Sequence, residues 1–264
     1  MTWIKRHLVA FAALAVLAYM LVPNIIVAAF SFNNPKGKFN YNFNEFSTEA
    51  WTNPCGAQGI CESLGLSLRV GFTASIVATI LGTMIAFALG RYRFRGRAAT
   101  NLLIFMPMAT PEVVMGSSLL TLFLMMGVPS GATAILIAHI MFCVSFVVVA
   151  VKARVATLDP RLEEAAADLG ANPTQTFLRV TLPLAGPGIA AGALLAFSLS
   201  FDDYIITNFN ASPSSITFPM YVWGASARGV PVQVYVIGTV MFLLALVVVI
   251  ASQLVSSRRS RQVA

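Results

Sequence analysis

Three carboxylates occupy stretches where charge is expensive. Glu112 follows Pro111 inside a long apolar run, and Asp202-Asp203 close another. An acid in a membrane-spanning segment is costly and as a rule faces a cavity or a partner. The chemistry open to such groups is that of a cation pathway, in which carboxylates offset the hydration an ammonium group loses. Tyr204, Phe209, Tyr221 and Trp223 lie close by in the chain. Their ring faces suit cation–π contacts, and they equally suit a belt at the outer membrane surface. At 1.5 Å per residue from Asn101, Glu112 falls ~16 Å into its span, near the middle of a ~30 Å hydrocarbon layer. The aspartates fall ~25 Å from the start of theirs, toward the outer mouth. Adjacent helical residues point ~100° apart, so one of the pair is expected to face the passage. Asp203 is assigned that role and Asp202 the milder one. An internal pair with Arg69, or simple solvation at the headgroups, is the competing reading for the aspartates.

A second group of residues suits contact with a soluble partner. Asp159 is a good helix N-cap and Pro160 a good first helical residue. Leu162, Ala165, Ala166 and Leu169 recur at helical spacing and form one apolar stripe beside Glu164. Gly170 stands where a helix end favours positive φ. Asn172-Pro173 opens a second helix, Gln175 completes a capping box, and Pro183 is expected to end it. The alanines give a thin surface able to enter a cleft in another protein.

The elements that hold these residues are membrane spans. The chain has 264 residues, 58% hydrophobic and 10% charged, against ~25% charged in a soluble domain. Six apolar runs approach or exceed the ~20 residues needed to cross a bilayer: His7–Ser31, Leu64–Gly90, Asn101–Gly127, Gly131–Val151, Leu184–Ile206 and Val232–Val255. The expected fold is all-α, a polytopic protein of six transmembrane helices forming a single membrane domain over residues 1–264. The first run exceeds a signal h-region and reads as a retained anchor. The third is broken by Pro107 and Pro111. The fifth carries Gly186, Gly188 and Gly192, which permit close helix approach.

Charge sets the orientation. Lys5, Arg6, Arg91, Arg93, Arg95, Arg97, Lys152, Arg154, Arg161, Arg179, Arg258, Arg259 and Arg261 fall on one side, thirteen of the 17 Lys+Arg. Lys36, Lys38 and Arg228 lie on the other, with Arg69 just inside the second span. Excess Lys/Arg marks the cytoplasm, so both termini and the segment 159–183 are expected inside. The formal charge of +7 then reports topology and contact with anionic lipid, and nucleic acid is not an expected partner. Cys55 and Cys61 fall in the first external loop, where either a disulfide or two thiols suit an oxidising exterior.

No P-loop pattern and no HExxH pattern are present. His7 and His139 have no motif around them. Catalysis is not expected, nor a metal or other cofactor in this chain.

Glu164-Ala165-Ala166, Gly170 six residues after the glutamate, and Val180-x-Leu182-Pro183 resemble the EAA loop of type I ABC importer permeases. Valine stands where the family has isoleucine. The resemblance implies that Glu164, Ala165, Ala166, Gly170, Leu182 and Pro183 couple the chain to ATPases. It also implies half a pore, a second and different permease, two cytoplasmic ATPases that bind ATP and Mg, and an external substrate-binding protein. The stretches Pro111–Gly116 and Ser200–Tyr204 resemble those of the C-type permeases of spermidine/putrescine importers, which implies polyamine cargo and a pathway through Glu112, Asp202, Asp203, Tyr204 and Trp223. Importers of iron, thiosulfate and sugars share the EAA loop, so cargo is not read from it. An ion-coupled secondary transporter or channel is the reading from another class; it leaves the EAA segment without a use.

Overall fold

A computed structural model describes the backbone of residues 2–262 and the side chains of residues 7–250. The charged groups of Lys5, Arg6, Arg258, Arg259 and Arg261 lie outside the described side chains. The chain divides into two compact units, residues 1–61 with 222–264, and residues 62–221.

In the first unit, α1 (Thr2–Phe30) packs along α12 (Val232–Gln262). Gly238 of α12 lies beside Val27 of α1, and a Cβ there would be in ordinary contact with Val27 Cγ1 at 3.6 Å. The Phe30 and Tyr235 rings add a contact at 6.4 Å between centroids. Most of α1 is apolar on every side and exposed, the pattern of a helix whose solvent is lipid or another membrane protein. After it the chain forms an ordered loop. Asn33 donates to Asn40 Oδ1 and to the Asn42 carbonyl, and its own Oδ1 accepts from Asn44 N. Phe32 stacks between Phe46 and Trp51. The short α2 (Glu49–Thr52) follows, and Cys55 is joined to Cys61 by a disulfide, their Cα atoms 5.4 Å apart.

The second unit is built around α6 (Ala132–Val155). Its buried residues include Ala138, Cys143, Val147, Val148 and Val151. Two other long helices approach it through glycine. On α3 (Ile60–Arg91), a Cβ at Gly82 would meet Val147 Cβ at 2.7 Å. On α9 (Leu182–Asp202), a Cβ at Gly188 would meet Arg154 Cγ at 2.8 Å. Lipid tails are as apolar as leucine, so close packing of small residues is what holds such helices together.

The third apolar run forms two helices. α4 (Arg97–Ala109) keeps Pro107 inside it, and α5 (Glu112–Met125) starts after a break at Thr110-Pro111 with a bend of 109°. Among the described residues five helices are long and apolar enough to span a membrane, six when the bent pair counts as one. The bend removes the basis for counting the depth of Glu112 along a straight helix from Asn101.

The segment 159–183 also departs from expectation at its end. α7 (Arg161–Asp168) and α8 (Pro173–Thr176) form as the caps predict. Asp159 Oδ1 accepts from Arg161 N at 3.0 Å. Gly170 has φ +83°, and Asn172 and Gln175 close a reciprocal capping box. Pro183, however, ends nothing. Helix continues through a π-helical turn, Phe177–Thr181, into α9. Proline has no N–H for the carbonyl four residues back, and its ring crowds that carbonyl. The wider turn just before it relieves this: Leu182 N bonds the Phe177 carbonyl, five residues back.

Candidate functional site: the acidic corner and the EAA segment

α9 ends at Asp202, the chain turns extended at Asp203, and α10 (Ile205–Asn210) begins after Tyr204. The Asp203 carboxylate makes this corner. It accepts from Ile206 N at 3.3 Å and from Thr207 N at 2.7 Å. Both are first-turn donors of α10 with no partner inside the helix. Asp203 also accepts from Thr207 Oγ1 at 2.8 Å and lies 3.3 Å from His139 Nε2.

His139, on α6, is buried, as are Ser200, Asp203 and Thr207. Its Nδ1 is 2.7 Å from Ser200 Oγ and its Nε2 2.9 Å from Thr207 Oγ1. One tautomer satisfies the whole set. Ser200 donates to Nδ1, Nε2–H donates to Thr207, and Thr207 donates to Asp203. Three helices are thereby tied by one polar chain in an apolar interior, where an unpaired member would be costly.

This corrects the expectation for the aspartates. Asp203 faces the bundle interior and serves the corner, while Asp202, at the next position back, is exposed. The partner of Asp203 is His139; Arg69 is exposed and forms no ion pair among the described residues.

Glu112 opens α5, and its carboxylate in the first turn suits the helix dipole. α5 docks on α10 through Gly116, where a Cβ would meet Phe209 Cδ2 at 2.7 Å and Ile206 Cα at 3.3 Å. Phe209 is therefore a packing residue. Asp203 caps α10 and α10 carries α5, so the corner fixes where Glu112 stands relative to Asp202. Glu112 and Asp202 are both exposed. Tyr204 is half-buried at the start of α10. Trp223, in the first unit, is exposed on α11 (Phe218–Ser226). No group of three or more metal-ligating side chains occurs among the described residues.

The EAA segment presents its stripe outward. No residue of α7 is buried, and Leu169 is 90% exposed. Glu164, Ala165 and Gly170 are also exposed, and Ala166 is partly so. Glu163, the residue before the motif, points back into the protein. It pairs with Arg91 at 2.9 Å and accepts from Thr181 Oγ1 at 2.9 Å. Sequence reasoning singled out neither Glu163 nor the His139–Asp203 contact, because each partner comes from a distant part of the chain.

The long apolar helices, the broken span and the acidic corner define a multi-pass membrane transport subunit. The chain belongs to the family of binding-protein-dependent transport system inner membrane components, which matches residues 78–262. It is 36% identical over 247 residues to the spermidine/putrescine transport system permease protein PotC of Escherichia coli K12, covering 94% of this chain and 93% of the relative. It is 35% identical over 230 residues to the putrescine transport system permease protein PotI of the same strain, covering 84% and 81%. The fold is shared with a bacterial ABC transporter that imports the acidic polysaccharide alginate, with TM-score 0.67, 19% identity and 95% of each chain covered.

Proposed function

We propose that this chain forms half of the translocation pore of an ATP-driven polyamine importer and that Glu112 and Asp202 line the cargo path. The carrying observation is a pair of exposed acids at helix ends, Glu112 at the start of α5 and Asp202 at the end of α9. Neither forms an ion pair among the described residues. An acid in a membrane-spanning protein is costly, and a cationic cargo relieves that cost. A polyamine, with several ammonium groups on an apolar stem, matches that arrangement. The names of the relatives PotC and PotI support the same cargo. Asp203, His139, Ser200 and Thr207 keep the corner in place, and Tyr204 is assigned a supporting contact with the cation.

The assembly is a second, related permease, two cytoplasmic ATPases holding ATP and Mg, and an extracytoplasmic binding protein. The distribution of Lys and Arg supports a cytoplasmic position for both termini and the EAA segment. There the exposed stripe of α7, with Glu164, Ala165, Ala166 and Gly170, enters a cleft of the ATPase, and Leu182 and Pro183 join it to α9. Closure of the ATPase pair moves α7, and the spans rock around the cargo path.

The test is uptake of labelled spermidine and putrescine by the complex in proteoliposomes with its binding protein. ATP-dependent uptake that excess ferric iron, thiosulfate or sugar does not compete supports the assignment. Preferred uptake of one of those solutes would replace the cargo, and uptake independent of any ATPase would remove the importer reading.

A further inference from the structure

α7 is held to its unit in an unusual way. It buries no residue. A cavity of about 360 Å³ separates it from the end of α3, with Arg91, Glu163, Ala167, Phe177 and Thr181 among its walls. Packing therefore does little to set the angle of this helix. What crosses the gap is polar. Glu163, in the first turn of α7, pairs with Arg91 in the last turn of α3. The same Oε1 accepts from Thr181, the last residue of the π-helical turn and the one that hands the chain to α9.

The pair is only partly exposed, with 21% and 33% of the two side chains accessible, so water screens it less than a surface pair. Thr181 is buried and fixed by its place in the helix. One carboxylate oxygen thus ties the exposed, cavity-flanked helix to the ends of two long apolar helices.

We propose that Arg91, Glu163 and Thr181 form the junction through which movement of α7 reaches α3 and α9. This rests on the reading of α7 as the ATPase-docking element. Glu163 is a positioning residue: it touches neither cargo nor nucleotide, and it converts a tilt of α7 into a pull on both spans. A junction made of one ion pair and one hydrogen bond transmits force without a packed interface, and the cavity leaves α7 room to pivot. Glu164 stays free for the ATPase because its neighbour makes the inward contact.

The experiment uses the complete importer in proteoliposomes and reads three quantities: ATPase retained on the permease, ATP hydrolysed, and cargo taken up per ATP. Arg91→Gln and Glu163→Gln should each lower uptake per ATP by roughly three- to tenfold, the range expected for breaking a coupling contact. ATPase retention should be unchanged. The double variant should be no worse than the singles, since both remove one interaction. The exchanged pair, Arg91→Glu with Glu163→Arg, should exceed both charge-reversal singles several-fold, a rescue that loss of folding cannot mimic. Native uptake per ATP in both glutamine variants, or additive losses without rescue in the exchange, would overturn the junction. Failure of the native chain to retain an ATPase would overturn the docking reading and the junction with it.

Discussion

His139 Nε2 lies 3.3 Å from Asp203 Oδ2, and the two residues come from different helices, α6 and the α9–α10 corner. The contact explains why one of two adjacent aspartates is buried and the other is free. Asp203 accepts the first-turn donors of α10 as well as the His139 contact, and its neighbour Asp202 is exposed.

Replacing Asp203 with alanine should therefore destabilise the chain more than it alters cargo preference. Each buried donor left without an acceptor costs about 1–3 kcal/mol, and Asp203→Ala strands the Thr207 N–H and hydroxyl. Thermal unfolding of the purified complex in detergent should show a clear drop for Asp203→Ala and little change for Asp202→Ala. Equal melting temperatures for the two variants would place both aspartates outside the network.

Gly116 has no room for a side chain. A Cβ there would lie 2.7 Å from Phe209 and 3.3 Å from the Ile206 Cα. Gly116→Val should push α5 off α10 at a cost of about 1–3 kcal/mol and lower uptake, with the protein still inserted in the membrane. Gly37, with nothing within 4 Å of its Cβ position, is the control, and Gly37→Ala should transport normally.

Cys55 and Cys61 are bonded. A maleimide should label the denatured native chain at Cys143 alone before reduction and at all three cysteines afterwards. Cys55→Ser with Cys61→Ser should lower stability by about 2 kcal/mol, the loop-closure value for so short a loop. Three reactive thiols without reductant would contradict the bond.

Cysteines placed singly at Gln175 and Asn44, in a chain with its own cysteines replaced, test the orientation read from Lys and Arg. A membrane-impermeant thiol reagent applied to intact cells should reach Asn44→Cys and leave Gln175→Cys unlabelled. The reverse pattern would invert the topology.

Much of this was legible in the sequence because it is local. Capping residues predict helix starts, so Asp159, Asn172 and Gln175 behaved as their types require. Gly170 took positive φ for the same reason. The apolar runs gave the spans, since length against bilayer thickness needs no tertiary information. Two local rules misled. Pro183 suggested a stop, but a π-helical turn absorbs a proline and lets the helix continue. Straight-helix counting placed Glu112 at mid-depth, but the bend of 109° before it breaks the ruler. The remaining misses are long-range. His139 meets Ser200 and Thr207 across more than sixty residues, and no periodicity in either segment encodes which aspartate it will take. Glu163 was hidden by the motif beside it, because its partner Arg91 belongs to another helix.

The central claim is that Glu112 and Asp202 receive a cationic cargo together. Its most direct measurement is labelled spermidine and putrescine uptake by the complex carrying Glu112→Gln with Asp202→Asn, compared with native complex at equal permease content and equal ATP hydrolysis. Removing two exposed charges leaves no buried group unpaired, so the account predicts normal assembly and basal ATP hydrolysis. It predicts uptake lowered by about two to four orders of magnitude, since losing a charged contact with a cation costs roughly 1.5–3 kcal/mol each. Undiminished polyamine uptake by the double variant would contradict it.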